Sequence, residues 1–507
     1  MNKVASKCFR QVGKVLDNSF KLTKTEVKKE ETFNRNSFIV VTLVVVAFLS
    51  GCNAPARFGE QPWNFVFILI DDLGWTDLAS YGSSFYETPH LDALAASGIR
   101  FTNAYATGPI CSPTRASLMT GKYPATLKIT DWIPGRRQWQ WAKLLVPEFN
   151  QQLPLEEVTL AEALKPAGYV SASIGKWHIG GEGYYPTEQG FDLNIAGTHR
   201  GYPPNYFSPY QIPTLEGGEE GEFLTERLTE EAERFMEDNR DRPFFLYLTH
   251  FTVHTPLQAK QDVIDKYEAK ADPEAAQRHP VYAAMVESMD ESVGQILEQI
   301  EKLGIAEKTI VLFASDNGGL IYEGSRKESV TSNVPLRAGK GHLYEGGIRV
   351  PMIVRWPGVT EPGTVVDVPV TSADFFPTIL EMADLPEPAG VDGESLVPLL
   401  RQSGTLGRES IFWHYPHYSN QGGEPSGAIR RGDYKLIEFY RDGKLELYNL
   451  RNDIGEENDL AEQMPNRAGQ LHQSLQKWRV DVGAAMPKEN PDYDPAQSDQ
   501  GLTGAQR

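Results

Sequence analysis

The chain has 507 residues, of which 40% are hydrophobic, 10% aromatic and 23% charged, and its net charge is −19. That composition excludes a disordered or collagen-like chain and supplies enough apolar mass for one large domain with a smaller companion. The leader is basic, with nine Lys/Arg against four Asp/Glu in residues 1–51, so without it the charge is −24. General nucleic-acid binding is excluded on this ground, because phosphate contacts need clustered Lys/Arg. An anionic substrate must instead be held by a local basic pocket.

Residues 38–49 are an uncharged apolar run of twelve, short of the ~20 needed to span a bilayer and matched to a signal-peptide core. Leu49, Ser50, Gly51 and Cys52 follow. This quartet resembles a bacterial lipobox, where a signal peptidase cuts before the cysteine and the thiol takes a diacylglycerol anchor. An ordinary secretory signal, or a short buried helix, is the alternative. Residues 1–51 then form the signal peptide and 52–61 a linker, and the folded part is exported. It is anchored to the membrane through Cys52, or is soluble in the periplasm or outside. If Cys8 is cut away and Cys52 acylated, Cys111 has no disulfide partner.

Residues 64–70 are a continuous apolar, β-rich run ending in Asp71 and Asp72, the pattern of a strand buried on both faces. Helical periodicity follows over 88–97 and 159–167, and 169–174 reads as a strand. Met285, Met289, Val293, Ile296, Ile300 and Leu303 recur at steps of three and four, which predicts an amphipathic helix over 281–303. Residues 309–315 are a second buried strand, ending in Asp316 and Asn317. This alternation predicts an α/β domain over 62–404, with a large, mainly parallel sheet between helices. Later, 434–440 and 445–450 flank Arg441, Asp442 and Gly443 as a hairpin, and 467–482 reads as a helix. The expectation is a smaller antiparallel sheet plus helix over 405–485, then a polar, mobile tail over 486–507.

Two predicted strands thus end in oxygen-rich pairs, and open α/β sheets bind ligands beyond the carboxyl ends of their strands. Three carboxylates and an amide make a hard oxygen site suited to Ca²⁺ or Mg²⁺. Helix capping is the structural alternative for each pair. Between them lies Cys111-Ser112-Pro113-Thr114-Arg115, followed by Leu118-Met119-Thr120-Gly121. Here the chain resembles the type I, formylglycine-dependent sulfatases of the alkaline phosphatase superfamily, whose signature is Cys-x-Pro-Ser/Thr-Arg and then Leu-x-Thr-Gly. Further motifs follow in order: Gly175-Lys176-Trp177-His178-Ile179-Gly180, Val253-His254-Thr255-Pro256 and Gly339-Lys340-Gly341-His342. The likeness covers roughly residues 62–485.

The resemblance implies an alkaline phosphatase-like fold and oxidation of Cys111 to Cα-formylglycine by a maturation enzyme that reads Pro113 and Arg115. It implies one Ca²⁺ held by Asp71, Asp72, Asp316, Asn317 and residue 111. The hydrated aldehyde has two hydroxyls, one to attack sulfur and one to break down the resulting sulfate ester. Asp316 is then the base for the first hydroxyl, and His178 takes the proton of the second. Arg115 and His178 hold the formylglycine. Lys176, His254 and Lys340 bind sulfate oxygens, and His254 or Lys340 protonates the leaving oxygen. Taken singly, the lysines could be surface residues and the histidines satisfied interior ones. A further polar residue belongs between the second motif and His254, and Thr198 and His199 are the candidates.

Specificity rests on thinner signals. Residues 131–141 mix Trp132, Trp139 and Trp141 with Arg136 and Arg137, suited to stacking on a sugar and pairing with its anions, and 413–418 could form a second such wall. Both could equally be packed loops. The expected substrate is a sulfated saccharide, such as a galactose or N-acetylgalactosamine sulfate, or an aryl sulfate. Two other functions remain open at this level: a phosphonate monoester or phosphodiester hydrolase of the same superfamily, and a non-catalytic glycan-binding lipoprotein.

Overall fold

Strand β1 (Asn64–Ile70) explains its own composition: Val66, Ile68 and Ile70 pack into one hydrophobic cluster while Phe65, Phe67 and Leu69 pack into another on the opposite face. A strand covered on both sides has no wet face and so no polar alternation. The computed structural model describes residues 62–138, 142–322 and 329–496. The signal peptide, Cys52 and the linker of the sequence reading lie outside these residues, as do 139–141 and the end of the tail from 497.

Around β1 runs an eight-stranded sheet. Its remaining strands are β2 (Ile99–Phe101), β3 (Val170–Gly175), β4 (Leu193–Ile195), β5 (Phe244–Thr249), β6 (Thr309–Ser315), β7 (Met352–Arg355) and β8 (Thr364–Val366). The spatial order is β8, β2, β7, β6, β1, β5, β3, β4, and β7 runs opposite to the other seven. The expected mainly parallel α/β sheet is therefore present. One face carries α1 (Pro89–Ser97), α4 (Leu224–Asn239) and α5 (Pro280–Lys302). The other carries α2 (Cys111–Thr120), α3 (Leu160–Leu164) and α6 (Phe375–Met382). Helix α3 begins at a capping box: Thr159 Oγ1 accepts from Glu162 N, and Glu162 Oε2 accepts from Thr159 N.

Strands β9 (Ser410–Tyr415), β10 (Ser426–Arg431), β11 (Tyr434–Phe439) and β12 (Leu445–Asn449) form a separate antiparallel sheet in sequence order. One of its faces packs on helix α7 (Pro465–Asp481) through Ile429, Leu436, Leu447, Leu471 and Leu475. Its other face, with Ile411, Trp413 and Tyr415, packs against Tyr105, Ile110 and Cys111. The small sheet thus backs the start of α2. The stretch expected to begin a mobile tail is pinned instead: Lys488–Glu489 pairs with Leu144–Leu145, and Asn490 Nδ2 donates to Ala142 O. Polar composition hid this, because an edge strand needs only backbone partners.

Candidate active site

Strands β6, β1, β5 and β3 lie side by side and parallel, in a register that aligns Ile70 with Ser315 and Gly175 with Thr249. Their carboxyl ends therefore deliver Asp71 and Asp72, Asp316 and Asn317, and Lys176 to one place, as open α/β sheets do. The close approach at β3 requires glycine: a Cβ on Gly175, at φ +110°, would lie 1.9 Å from Thr249 O. Asp72 and His178 sit in the left-handed region at φ 64° and 60°, an unfavourable conformation for non-glycine residues that is concentrated at functional sites.

The acidic cluster is buried and matched by cations. Lys176 Nζ donates to both oxygens of Asp71 at 2.7 and 2.8 Å, and Lys340 Nζ to both oxygens of Asp72 at 2.6 and 2.8 Å. Arg115 donates through Nε to Asp316 Oδ2 and through Nη1 to Lys176 O and Thr249 Oγ1. Burial raises the Asp71 carboxyl above its ordinary range; Lys176 opposes this, and Asp316 and Asp72 add to it. At Asp72 burial pushes upward too, but Lys340 and His254 outweigh it and hold the group low. Lys340 stays protonated despite its burial because Asp72 faces it.

These residues fit a hard cation. Asn317 Nδ2 donates to Asp72 Oδ1 and Gly318 O, which leaves its Oδ1 buried with no hydrogen-bond partner. An orphaned carbonyl oxygen costs roughly 1–3 kcal/mol. A bound cation would satisfy it. Asp71, Asp72 and His254 bring ligand atoms within 4.8 Å of one another, and Asp316 Oδ1 accepts from Asp72 N at 3.2 Å. The set is dominated by oxygen, as Ca²⁺ requires.

Cys111 opens α2, and Arg115, four residues on, shares its helix face. Pro113 is tolerated because first-turn N–H groups have no intrahelical partner. The thiol is buried, and burial pushes its pKa up. It is therefore not a poised thiolate. Its Sγ lies 3.3 Å from His178 Nδ1, while His178 Nε2 lies 2.7 Å from Ile133 O. A carbonyl only accepts, so Nε2 carries the hydrogen and Nδ1 presents a lone pair to residue 111. Burial, then Lys176, keep this imidazole neutral. Ser112 Oγ fixes the pair by donating to His178 O and accepting from Ile133 N.

Cys111, His178, His254 and Lys340 border a cleft of about 800 Å³. Burial lowers His254 to about 3; its Nδ1 lies 2.7 Å from Thr255 O, and its Nε2 is 3.7 Å from Asp72 Oδ2. Lys176 is wholly buried on Asp71, behind the cleft wall. Of the two candidates for the further polar residue, His199 borders the cleft, whereas Thr198 is buried and its carbonyl accepts from His178 N.

The specificity loops need correction. Trp132, Ile133 and Pro134 do border the cleft. Arg136 Nη1, however, donates to Ser419 O, and Arg136 and Arg137 border a separate small pocket with His417 and Tyr418. Residues 413–418 form no wall of the cleft. Trp413 and Tyr415 are core residues behind Cys111, His414 bonds Tyr440 and Ala485, and His417 bonds Thr130. The alternation of Ile411, Trp413 and Tyr415 is a strand signal that marks them as core. Missed by the sequence reading were Arg200, Tyr202, Tyr322, Asn420 and Gln421, which complete the cleft.

Residues 63–385 match the family model described as Sulfatase, and 338–481 match the one described as N-sulphoglucosamine sulphohydrolase, C-terminal. Among curated relatives, a "Sulfatase" of Formosa agariphila is 32% identical over 88% of this chain and 93% of its own length. Human arylsulfatase A is 33% identical over 83% of this chain and 87% of its own. A solved structure of Ps i-CgsB in complex with k-i-k-neocarrahexaose superposes with TM-score 0.71 at 28% identity, covering 86% of this chain and 96% of that one. Neither the phosphonate or phosphodiester hydrolase nor the non-catalytic reading is favoured by these relatives.

Proposed function

The chain belongs to the sulfatase family, sulfuric ester hydrolases on an alkaline phosphatase-like fold, and from that premise we propose that it releases sulfate from sulfated carbohydrate using a formylglycine made from Cys111 and one Ca²⁺. The observation that carries the reading is a single buried thiol, 3.3 Å from a histidine lone pair and beside an oxygen-rich cluster. The burial of Cys111, Pro113 and Arg115 supports conversion by the maturation enzyme before the chain folds. The signal-like leader supports export with a lipid anchor on Cys52.

Ca²⁺ held by Asp71, Asp72, Asp316 and Asn317 would supply Lewis acidity toward the sulfate, and a formylglycine hydrate would supply paired hydroxyls that a thiol lacks. Around that chemistry the side chains divide the work. Arg115 holds Asp316, the base for the attacking hydroxyl, through Nε and Nη2. His178 Nδ1 receives the proton from residue 111 as sulfate leaves. Lys340, on the cleft wall, holds a sulfate oxygen with its charge. An anion beside His254 raises that imidazole's pKa, which lets it carry a proton to the leaving oxygen. Lys176 stays with Asp71 and opposes the rise that burial imposes on its carboxyl.

The test is inorganic sulfate release from a panel of sulfated galactose and N-acetylgalactosamine substrates, using protein co-expressed with a maturation enzyme. Release that stops on chelation and is absent in Cys111→Ala is expected. Equal release by Cys111→Ala, or none by the matured protein across the panel, overturns the proposal.

A further inference from the structure

We infer that Arg200 forms a second anion subsite, so that the substrate is a saccharide carrying another sulfate or carboxylate beside the sulfate ester that is cleaved. This rests on the sulfatase reading of Cys111 and adds the substrate's charge class to it.

In a chain of net charge −19, the cleft is bordered by Arg200, Lys340 and three histidines, and by no Asp or Glu among the described residues. His178 and His254 are held neutral by burial, so the cleft's attraction for anions rests on its lysine and arginine. Lys340 pairs with Asp72 and serves the sulfate that is cleaved, whereas Arg200 is exposed and has neither task. Among the described residues Arg200 has no ion-pair partner, and its side-chain bond is a long one of 3.4 Å from Nη1 to Gln211 O. Arg200 borders the cleft with most of its planar set of donors unspent, and such a set matches sulfate or carboxylate through two parallel bonds.

The backbone around Arg200 is fixed against the reacting groups. Arg200 N donates to Thr198 Oγ1, and Thr198 O accepts from His178 N. Gly201 lies flat on the His178 ring: a Cβ there would come within 2.4 Å of Cε1. The Tyr202 ring runs parallel to His254, at 6° and 6.3 Å between centroids. The segment 200–202 is thus anchored on both His178 and His254, and Arg200 borders the same cleft as these histidines, where it would read a second anion on the bound saccharide. Trp132 and Tyr202 offer the ring faces on which such a sugar stacks. Arg136 and Arg137, which composition favoured for this task, are turned elsewhere.

The experiment compares kcat/KM of the matured holoenzyme, Arg200→Gln and Arg200→Lys on a nitrophenyl sulfate, a monosulfated N-acetylgalactosamine, its disulfated counterpart and a monosulfated disaccharide ending in a hexuronate. The wild type should prefer the doubly anionic substrates, and added salt should narrow that preference. In Arg200→Gln the ratio of doubly to singly anionic kcat/KM should fall about 10- to 100-fold, chiefly through KM, the size expected for lost charged hydrogen bonds. Arg200→Lys should restore part of the ratio. A fall confined to the disulfated sugar assigns sulfate as the second anion, and one confined to the hexuronate assigns carboxylate. A ratio that does not move, or a wild type that prefers the singly charged sugar, overturns the subsite. Failure of the wild type to release sulfate from any of the four substrates, the nitrophenyl ester included, removes the sulfatase reading and the subsite with it.

Discussion

Lys176→Met strips the Asp71 carboxylate of its main partner while leaving a side chain of similar volume in place. Both groups of this pair are wholly buried, and Lys176 Nζ contacts both carboxylate oxygens. The next nearest cation, Arg115 Nη2, is 3.8 Å from Asp71 and already engaged with Asp316. Removing one partner of a buried pair costs about 3–5 kcal/mol. With an unfolding entropy of ~2 cal/mol/K per residue over the roughly 430 described residues, 1 kcal/mol corresponds to about 1 °C, so Tm falls by ~3–5 °C in chelator. The loss depends on pH. Burial already holds Asp71 above its unfolded value, and losing Lys176 raises it further. A carboxyl raised on folding stabilises while it is protonated in the folded state, and that contribution disappears as pH rises through the folded pKa. The deficit is therefore larger at about pH 8 than at about pH 5. Ca²⁺ should recover part of it by supplying the missing positive charge. Differential scanning calorimetry at both pH values, with chelator and then with Ca²⁺, reads all three effects. A Tm equal to wild type in chelator at both pH values refutes the reasoning.

Other outcomes follow from the same geometry. His178→Ala should lower kcat by about 10²–10⁴, the range for a general acid or base, while circular dichroism reports an intact fold. Asn317→Ala, which deletes the orphaned oxygen offered to the cation, should weaken Ca²⁺ binding by roughly 10-fold or more in calorimetric titration. Trp413→Ala should destabilise by about 3–5 kcal/mol in denaturant melts. Its ring is core, packed on Tyr105 with Nε1 donating to Ala106 O, so KM for saccharide should stay within about 2-fold. A large KM change with little loss of stability would restore residues 413–418 to the cleft.

The elements legible in the sequence were those whose pattern was local. Strands β1 and β6 have the bounds of their apolar runs because polar pairs end both. Helix α5 follows its three-and-four spacing to within a residue. The hairpin of β11 and β12 was marked by Asp442 and Gly443. The edge pairings of β2 with β7 and β8 join residues more than 200 positions apart, the reversal of β7 against β6 has no local signal, and strands of three or four residues carry too little pattern to declare them. Helix α4 was legible and overlooked: Leu224, Leu228, Ala232, Phe235 and Met236 keep helical spacing within an acid-rich stretch. Within the site, the ordered motifs brought Cys111, Arg115, His178, Asp71, Asp72, Asp316, Asn317 and Lys340 together. Charge pairing was not readable. Nothing local told Lys176, spent on Asp71, from Lys340 on the cleft wall, or Arg136, bonded to a carbonyl 283 positions away, from the open Arg200.

The most direct test of the account is the mass of the tryptic peptide 101–115, which contains Cys111, from protein made in its native host or with a maturation enzyme, read beside sulfate release from the same preparation. An aldehyde in place of the thiol, with sulfate release that scales with the converted fraction, is the expected result. A thiol retained at position 111 in a preparation that still releases sulfate would contradict it.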